Sequence, residues 1–199
     1  MRKNGIVCLA FVFVLSAMVA PASAQLSPTG KAATQVGDGY GQWIEVTYSR
    51  PILRGRRGIL ASGESYGQAV TAGAPVWRAG ADVSTRIRTE ADLMFGDNTL
   101  SAGEYSLFIE LKGPDSWELI VSNHGAKAAF NREDDGKLWG AYGYDSSQDV
   151  FRVPMVLGAP IPFAMDQLTW YFTDVTEGGG TLNIIWENTI ASAAFTASN

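Results

Sequence analysis

The chain has 199 residues, of which 46% are hydrophobic and 18% charged, with 22 Gly, 8 Pro, one Cys and one His. That balance excludes a disordered tail, a collagen repeat and a disulfide-stapled miniprotein, and it describes one globular domain with enough apolar residues to bury a core. Fifteen Lys and Arg against twenty Asp and Glu give a formal charge of −5, the wrong sign for a protein that neutralises phosphates, so no nucleic-acid partner is expected.

Arg2 and Lys3 precede an apolar run from Ile6 to Val19, and Ala22-Ser23-Ala24 supplies the small residues that signal peptidase reads. The run has roughly 14 residues where a bilayer span needs ~20, and Pro21 closes it. We therefore expect residues 1–24 to be a cleaved secretory leader, residues 25–199 a single domain starting at Gln25, and the location periplasmic or secreted. Cys8 lies inside the leader, so the mature chain would hold no cysteine and no disulfide. Its 13 basic against 20 acidic side chains would set a formal charge of −7. No later hydrophobic segment reaches spanning length, so no membrane span is expected after cleavage.

From Gln25 onward the recurring signal is period-two alternation, the mark of half-buried antiparallel strands. Ile44, Val46 and Tyr48 alternate with Trp43, Glu45 and Thr47, and Val83, Thr85 and Ile87 with Ser84, Arg86 and Arg88. Tyr105, Leu107, Ile109 and Leu111 oppose Glu104, Ser106, Glu110 and Lys112, with Phe108 the apolar exception. The pattern continues in Trp117, Leu119 and Val121, in Phe151, Val153, Met155 and Leu157, in Leu168, Trp170 and Phe172, and in Leu182, Ile184 and Trp186. Gly96-Asp97-Asn98, Gly113-Pro114-Asp115 and Gly178-Gly179-Gly180 read as turns. No helical periodicity is sustained outside the leader. The expected fold is all-β, an antiparallel sandwich of roughly nine to eleven strands, with a closed barrel as the alternative. Residues 52–80 and 123–148 are long Gly-rich loops, and loops of that length in a compact domain tend to carry function.

The chemistry points away from an enzyme and calls for no cofactor. One histidine, His124, cannot assemble a catalytic zinc site. Asp134, Asp135, Asp145 and Asp149 cluster in one loop region without the spacing of an EF-hand, which reads as a solvated acidic loop. Gly63-Glu64-Ser65-Tyr66-Gly67 matches G-x-S-x-G, but that motif works on a strand-turn-helix unit that the pattern lacks, and only His124 could serve Ser65 as a base.

The basic residues are bunched. Arg50, Arg54, Arg56 and Arg57 fall within eight positions, followed by Arg78, Arg86 and Arg88. Guanidinium groups pair bidentately with carboxylate or phosphate, so these arginines either close ion pairs with acids such as Glu45, Glu64 and Asp82 or meet a small anionic ligand. Trp77, Trp139, Tyr142 and Tyr144 either anchor the core or add a stacking surface for a sugar or aromatic ligand.

Several ordered motifs together resemble a bacterial family, domain of unknown function 2911. They begin with Tyr48-Ser49-Arg50-Pro51, Gly55-Arg56, Tyr66-Gly67 and Val76-Trp77-Arg78-Ala79-Gly80-Ala81 with Thr85. They continue with Ala102-Gly103-Glu104-Tyr105-Ser106-Leu107, Trp117-Glu118-Leu119-Ile120 with Asn123, Leu138-Trp139-Gly140, Tyr144-Asp145, Asp149-Val150, Arg152-Val153 and Trp186-Glu187. The resemblance runs from about Ser27 to Thr196. It implies an exported β-sandwich and carries no established activity. Asp82 departs from the pattern, standing where the family commonly has Asn, which trades an amide donor for a carboxylate. The residues that the resemblance marks for ligand binding are Tyr48, Arg50, Arg56, Trp77, Arg78, Asp82, Thr85, Asn123, Trp139 and Asp149. The expected function is a noncatalytic binding or interaction module for a small anionic, polar or glycan ligand in the cell envelope. An envelope hydrolase using carboxylates or Ser65, and a structural protein that binds another envelope protein, stay open beside it.

Overall fold

The computed structural model describes residues 26–133 and 135–198, so the expected leader lies outside the described residues. In chain order the strands are β1 (Thr29–Val36), β2 (Gln42–Ser49), β3 (Thr85–Thr89), β4 (Asp92–Phe95), β5 (Asn98–Leu100), β6 (Gly103–Gly113) and β7 (Ser116–Ser122). There follow β8 (Gly125–Ala126), β9 (Lys137–Leu138), β10 (Asp149–Pro154), β11 (Val156–Leu157), β12 (Met165–Thr176), β13 (Gly179–Glu187) and β14 (Thr189–Ser198). Three of these are two-residue pieces, which leaves eleven strands of three residues or more among the described residues. One helical turn, α1 (Gln68–Thr71), interrupts the first long loop.

Two antiparallel sheets face each other. The first runs β1-β2-β3-β6-β7-β10 and the second β12-β13-β14-β4-β5, with β11 added beside β14. Among the described residues no ladder joins one sheet to the other, so the architecture is a sandwich and not a barrel. Period-two alternation builds the core between them: Ile44, Val46, Leu107, Ile109, Leu119 and Val121 from the first sheet meet Leu168, Trp170, Leu182, Ile184, Leu93 and Phe95 from the second, all at 2% exposure or less. Burying these side chains is the main favourable term in the fold.

Phe108 breaks the alternation because β6 is buried on both faces. It pairs with Ile120 across the β6–β7 ladder, and together with Ala74, Val76, Leu138 and Ala141 they form a second, smaller cluster on the outer side of the first sheet. The two long loops, 52–80 and 123–148, supply the covering residues. The segment Phe151 to Leu157, which the alternation joins into one strand, changes sheets at Met155: β10 pairs with β7, and β11 pairs with β14. The Met155 N–H still donates to the Trp117 carbonyl on β7 at 2.9 Å, so the crossover follows directly after that bond.

The Gly178 turn that joins β12 to β13 leads into a crowded position. Gly179 has φ +143°, and a Cβ there would lie 2.2 Å from the Phe195 carbonyl oxygen on β14. Gly179→Ala is expected to lose at least about 1–3 kcal/mol through backbone strain alone. Gly113→Ala, whose Cβ meets nothing within 4 Å, should stay near the parent, and urea unfolding of both variants checks this.

Candidate functional site

The first long loop leaves β2 at Pro51 and returns to the first sheet at Trp77, whose backbone pairs with Ile109 on β6 in both directions, at 2.9 and 2.8 Å. Trp77 is 1% exposed, edge-on to Trp117 and stacked near Trp186 across the sandwich. Its indole N–H donates to the Gly80 carbonyl at 3.1 Å. The Ala79 carbonyl accepts from Thr85 Oγ1 at 3.1 Å and from Trp170 Nε1 at 2.9 Å. These bonds hold residues 77–82 in a bend with Ala79 and Asp82 both at φ +54°, a left-handed backbone uncommon for residues with a side chain. Thr85, Trp77 and Tyr48, whose hydroxyl donates to the Trp170 carbonyl at 3.4 Å, are thus the frame behind this bend. Gly80 fits because a Cβ there would lie 2.9 Å from the Ser49 carbonyl.

The bend presents Arg78 and Asp82 to an open cleft of about 560 Å³. Arg56 and Arg57 from the preceding loop line the same cleft, with Ile59, Val70 and Trp186 as apolar wall. Arg54 lines an adjoining recess of about 270 Å³ that shares Ser27, Pro51 and Arg56 with it. Arg56 is held locally, donating from Nε to the Leu53 carbonyl and from Nη2 to the Ile52 carbonyl, each at 2.9 Å. Glu187 fixes the next stretch: its two oxygens accept the N–H groups of Gly58 and Ile59 at 2.7 and 3.1 Å.

Arg78 is 9% exposed. Its guanidinium donates to the Asp82 backbone carbonyl at 3.2 Å and lies 5.4 Å from the centre of the Tyr142 ring, within cation–π range. It also packs on the backbone of Gly140, where a Cβ would come within 2.6 Å of Nη1. Tyr142 is tied in turn to the end of α1, its hydroxyl donating to the Ala72 carbonyl at 3.0 Å.

The partners of these arginines differ from the internal pairing that the sequence allows. Among the described residues the ion pairs use Lys31, Arg86, Arg88, Lys112, Lys127 and Arg152 as cations, and none uses Arg50, Arg54, Arg56, Arg57 or Arg78. Glu45 pairs with Lys31, and the Asp82 carboxylate accepts the Ser27 N–H at 2.7 Å. Arg50 turns away from the cleft, donating to the Leu168 carbonyl and Thr169 Oγ1 on β12 at 3.3 and 3.1 Å; it ties the two sheets together.

The remaining sequence-derived candidates sit around the second loop. Asp149 Oδ2 accepts from the Tyr144 hydroxyl at 2.6 Å and from Arg152 Nε at 2.9 Å, and Arg152 reaches Glu110 at 2.5 Å. Asp149 Oδ1 is buried without a hydrogen-bond partner. Asn123 has its side chain exposed while its N–H donates to the Gln148 carbonyl at 2.9 Å. Trp139 is half-buried and meets Phe130 edge-on at 6.0 Å. Neither Asn123, Trp139 nor Asp149 lines the cleft. The acidic loop disperses: Asp145 caps the Ser146–Gln148 turn through Ser147, Asp135 accepts the Lys137 N–H, and Asp134 lies outside the described residues. Among the described residues no three His, Cys, Asp or Glu side chains gather as a metal site would require.

Ser65 and His124 are not a catalytic pair. Ser65 is exposed on a short 3-10 turn, and its side chain has no hydrogen bond among the described residues. His124 is buried beside Phe108 and Tyr144, and its Nε2 accepts the Asp145 N–H at 3.0 Å.

Reading the sequence alone named Tyr142 only as one of four aromatics that either anchor the core or stack on a ligand, left Arg57 within the arginine bunch without marking it as a site residue, and missed Ser27, Trp186 and Glu187. The last three lie far along the chain from the bunch, and of these only Trp186-Glu187 carried a signal, as a motif of the resemblance.

Burial, with the Asp149 carboxylate beside it, raises the Tyr144 phenol well above its ordinary value. A raised value means that the folded state holds this proton more tightly, so the stability it contributes is full below the ordinary phenol range near ~10 and falls as pH climbs toward the raised value. Tyr144→Phe is expected to cost about 1 kcal/mol at neutral pH through lost hydrogen bonds, with the gap to the parent narrowing above pH ~10. Melting temperatures across alkaline pH test it, against a background from Tyr66 and Tyr171, which burial also raises.

No curated protein and no solved structure matches the chain. One family does match, described as protein of unknown function (DUF2911), and it covers residues 27–195, nearly all of the sandwich and every residue of the cleft. Motifs that carry the resemblance include those of the arginine loop, the Trp77 bend and the Gly140 turn, and the chain belongs to that family.

Proposed function

We propose that this protein is an exported, noncatalytic binding module that takes a small anionic ligand in the cleft of Arg56, Arg57 and Arg78. One observation carries the reading: three guanidinium groups line one open cleft in an acidic protein, and none has a carboxylate partner among the described residues. An acidic chain with carboxylates to spare that leaves arginines unpaired at a concave surface keeps their charge available for something else. The Trp77 bend and the Glu187 clamp support the reading by fixing the cleft walls, which lowers the entropic cost of capturing a ligand.

Titration calorimetry of the purified protein with small carboxylates and inorganic phosphate, beside neutral sugars, is the test. Anions are expected to bind and to weaken with rising salt. Arg57→Gln, at an exposed residue with no hydrogen-bond or ion-pair partner among the described residues, should weaken them about tenfold through one lost charge-assisted bond while leaving the melting temperature unchanged. Binding of neutral sugars alone, or an Arg57→Gln variant as tight as the parent, overturns the reading. Export predicts that protein recovered from the cell envelope begins at Gln25 on N-terminal sequencing; an intact residue 1–24 segment in that fraction refutes the cleavage.

A further inference from the structure

The cleft that carries the anion reading also holds one negative charge. Asp82 lines it with the three arginines. Its Oδ2 is held by the Ser27 N–H, while among the described residues Oδ1 receives no hydrogen bond and is not sealed from solvent. Arg78 does not neutralise it, because the guanidinium donates to the Asp82 backbone carbonyl and forms no ion pair with the carboxylate. The left-handed backbone at Asp82, φ +54°, and the Ser27 bond fix where that carboxylate points.

A ligand that is only an anion is attracted by the arginines and repelled by Asp82. A ligand that carries an ammonium beside its anionic group meets both with the right sign, which is how a site selects by charge pattern and not by net charge. The third wall is apolar, formed by Ile59, Val70 and Trp186. Behind Ile59 and Trp186 lies a void of about 10 Å³ bounded by Trp77, Trp117 and Ile184.

We propose that the cleft takes zwitterions with an apolar side chain, meaning free amino acids or short peptides with both ends unblocked. The carboxylate sits on the arginines, the ammonium on Asp82 Oδ1 and the side chain against Ile59, Val70 and Trp186. This assignment rests on the anion reading of the same cleft and narrows its ligand class. A cleft of about 560 Å³ falls in the usual range for small-ligand sites and accommodates either source.

The test is calorimetric titration of the purified protein with L-leucine, L-leucyl-L-leucine, N-acetyl-L-leucine, L-leucinamide and inorganic phosphate. Leucine or leucyl-leucine is expected to bind at least tenfold more tightly than N-acetyl-leucine, with leucinamide weakest; which of the two zwitterions binds more tightly distinguishes the amino acid from the peptide. Asp82→Asn keeps an acceptor for Ser27 and should erase that preference while strengthening N-acetyl-leucine and phosphate. N-acetyl-leucine binding as tightly as leucine and leucyl-leucine, or a preference unchanged in Asp82→Asn, overturns the zwitterion assignment and leaves the anion reading standing. Leucinamide binding most tightly, or no binding by any anionic probe, overturns both. Should Asp82→Asn fail to fold, the ligand series on the parent decides by itself.

Discussion

The carbonyl oxygen of Ala79 is the point on which the site depends. It lies in the interior, at a residue with no exposure, and it receives two donors: the Thr85 hydroxyl from its own sheet and the Trp170 indole from the opposite one. A buried carbonyl without partners costs a few kcal/mol, so this pairing is what permits a polar bend to run through the middle of a sandwich. Because Trp170 comes from β12, the bend is held by both layers at once, and the left-handed residues Ala79 and Asp82 keep a conformation that a free loop would abandon. Arg78 and Asp82 flank that carbonyl in sequence, so their positions in the cleft follow from packing on the other side of the backbone.

The first sheet is unusual in hiding part of its outer face. Phe108 and Ile120 would lie in water in a simple two-layer sandwich; here Ala74, Val76, Leu138 and Ala141 cover them. The loop 123–148 is therefore a partial third layer. Its inner surface is aromatic, with His124 and Tyr144 against Phe108, and its rim is closed by Asp149, Arg152 and Glu110. The layer also delivers Gly140 and Tyr142 to Arg78, which couples the outer cluster to the cleft without sharing a residue with its lining.

Most of the sheet architecture was legible because burial on one face leaves a period of two. Ile44, Val46 and Tyr48, or Leu182, Ile184 and Trp186, could hardly point anywhere but inward. Phe108 was legible as an exception but not as a clue, since double-sided burial depends on where a distant loop comes to rest. Met155 was read as the middle of a strand because alternation survives a change of sheet when both sheets face the same core. The arginine bunch was visible from spacing alone, yet spacing could not separate Arg50, which bridges to β12, from Arg56 and Arg57, which face the cleft. Nothing short of the fold brings Glu187 to the amides of Gly58 and Ile59, about 130 positions away in sequence.

Gly140 shows how far the influence on the cleft extends. It lacks a side chain, is absent from the lining of the cleft and carries φ +65°, so it would pass for an ordinary turn residue. Yet the Arg78 guanidinium rests on its bare backbone, and a β-carbon there would meet it at 2.6 Å and force it to move. A position outside the lining thus sets where the Arg78 charge lies, and a side chain added at that glycine would reshape the cleft from behind.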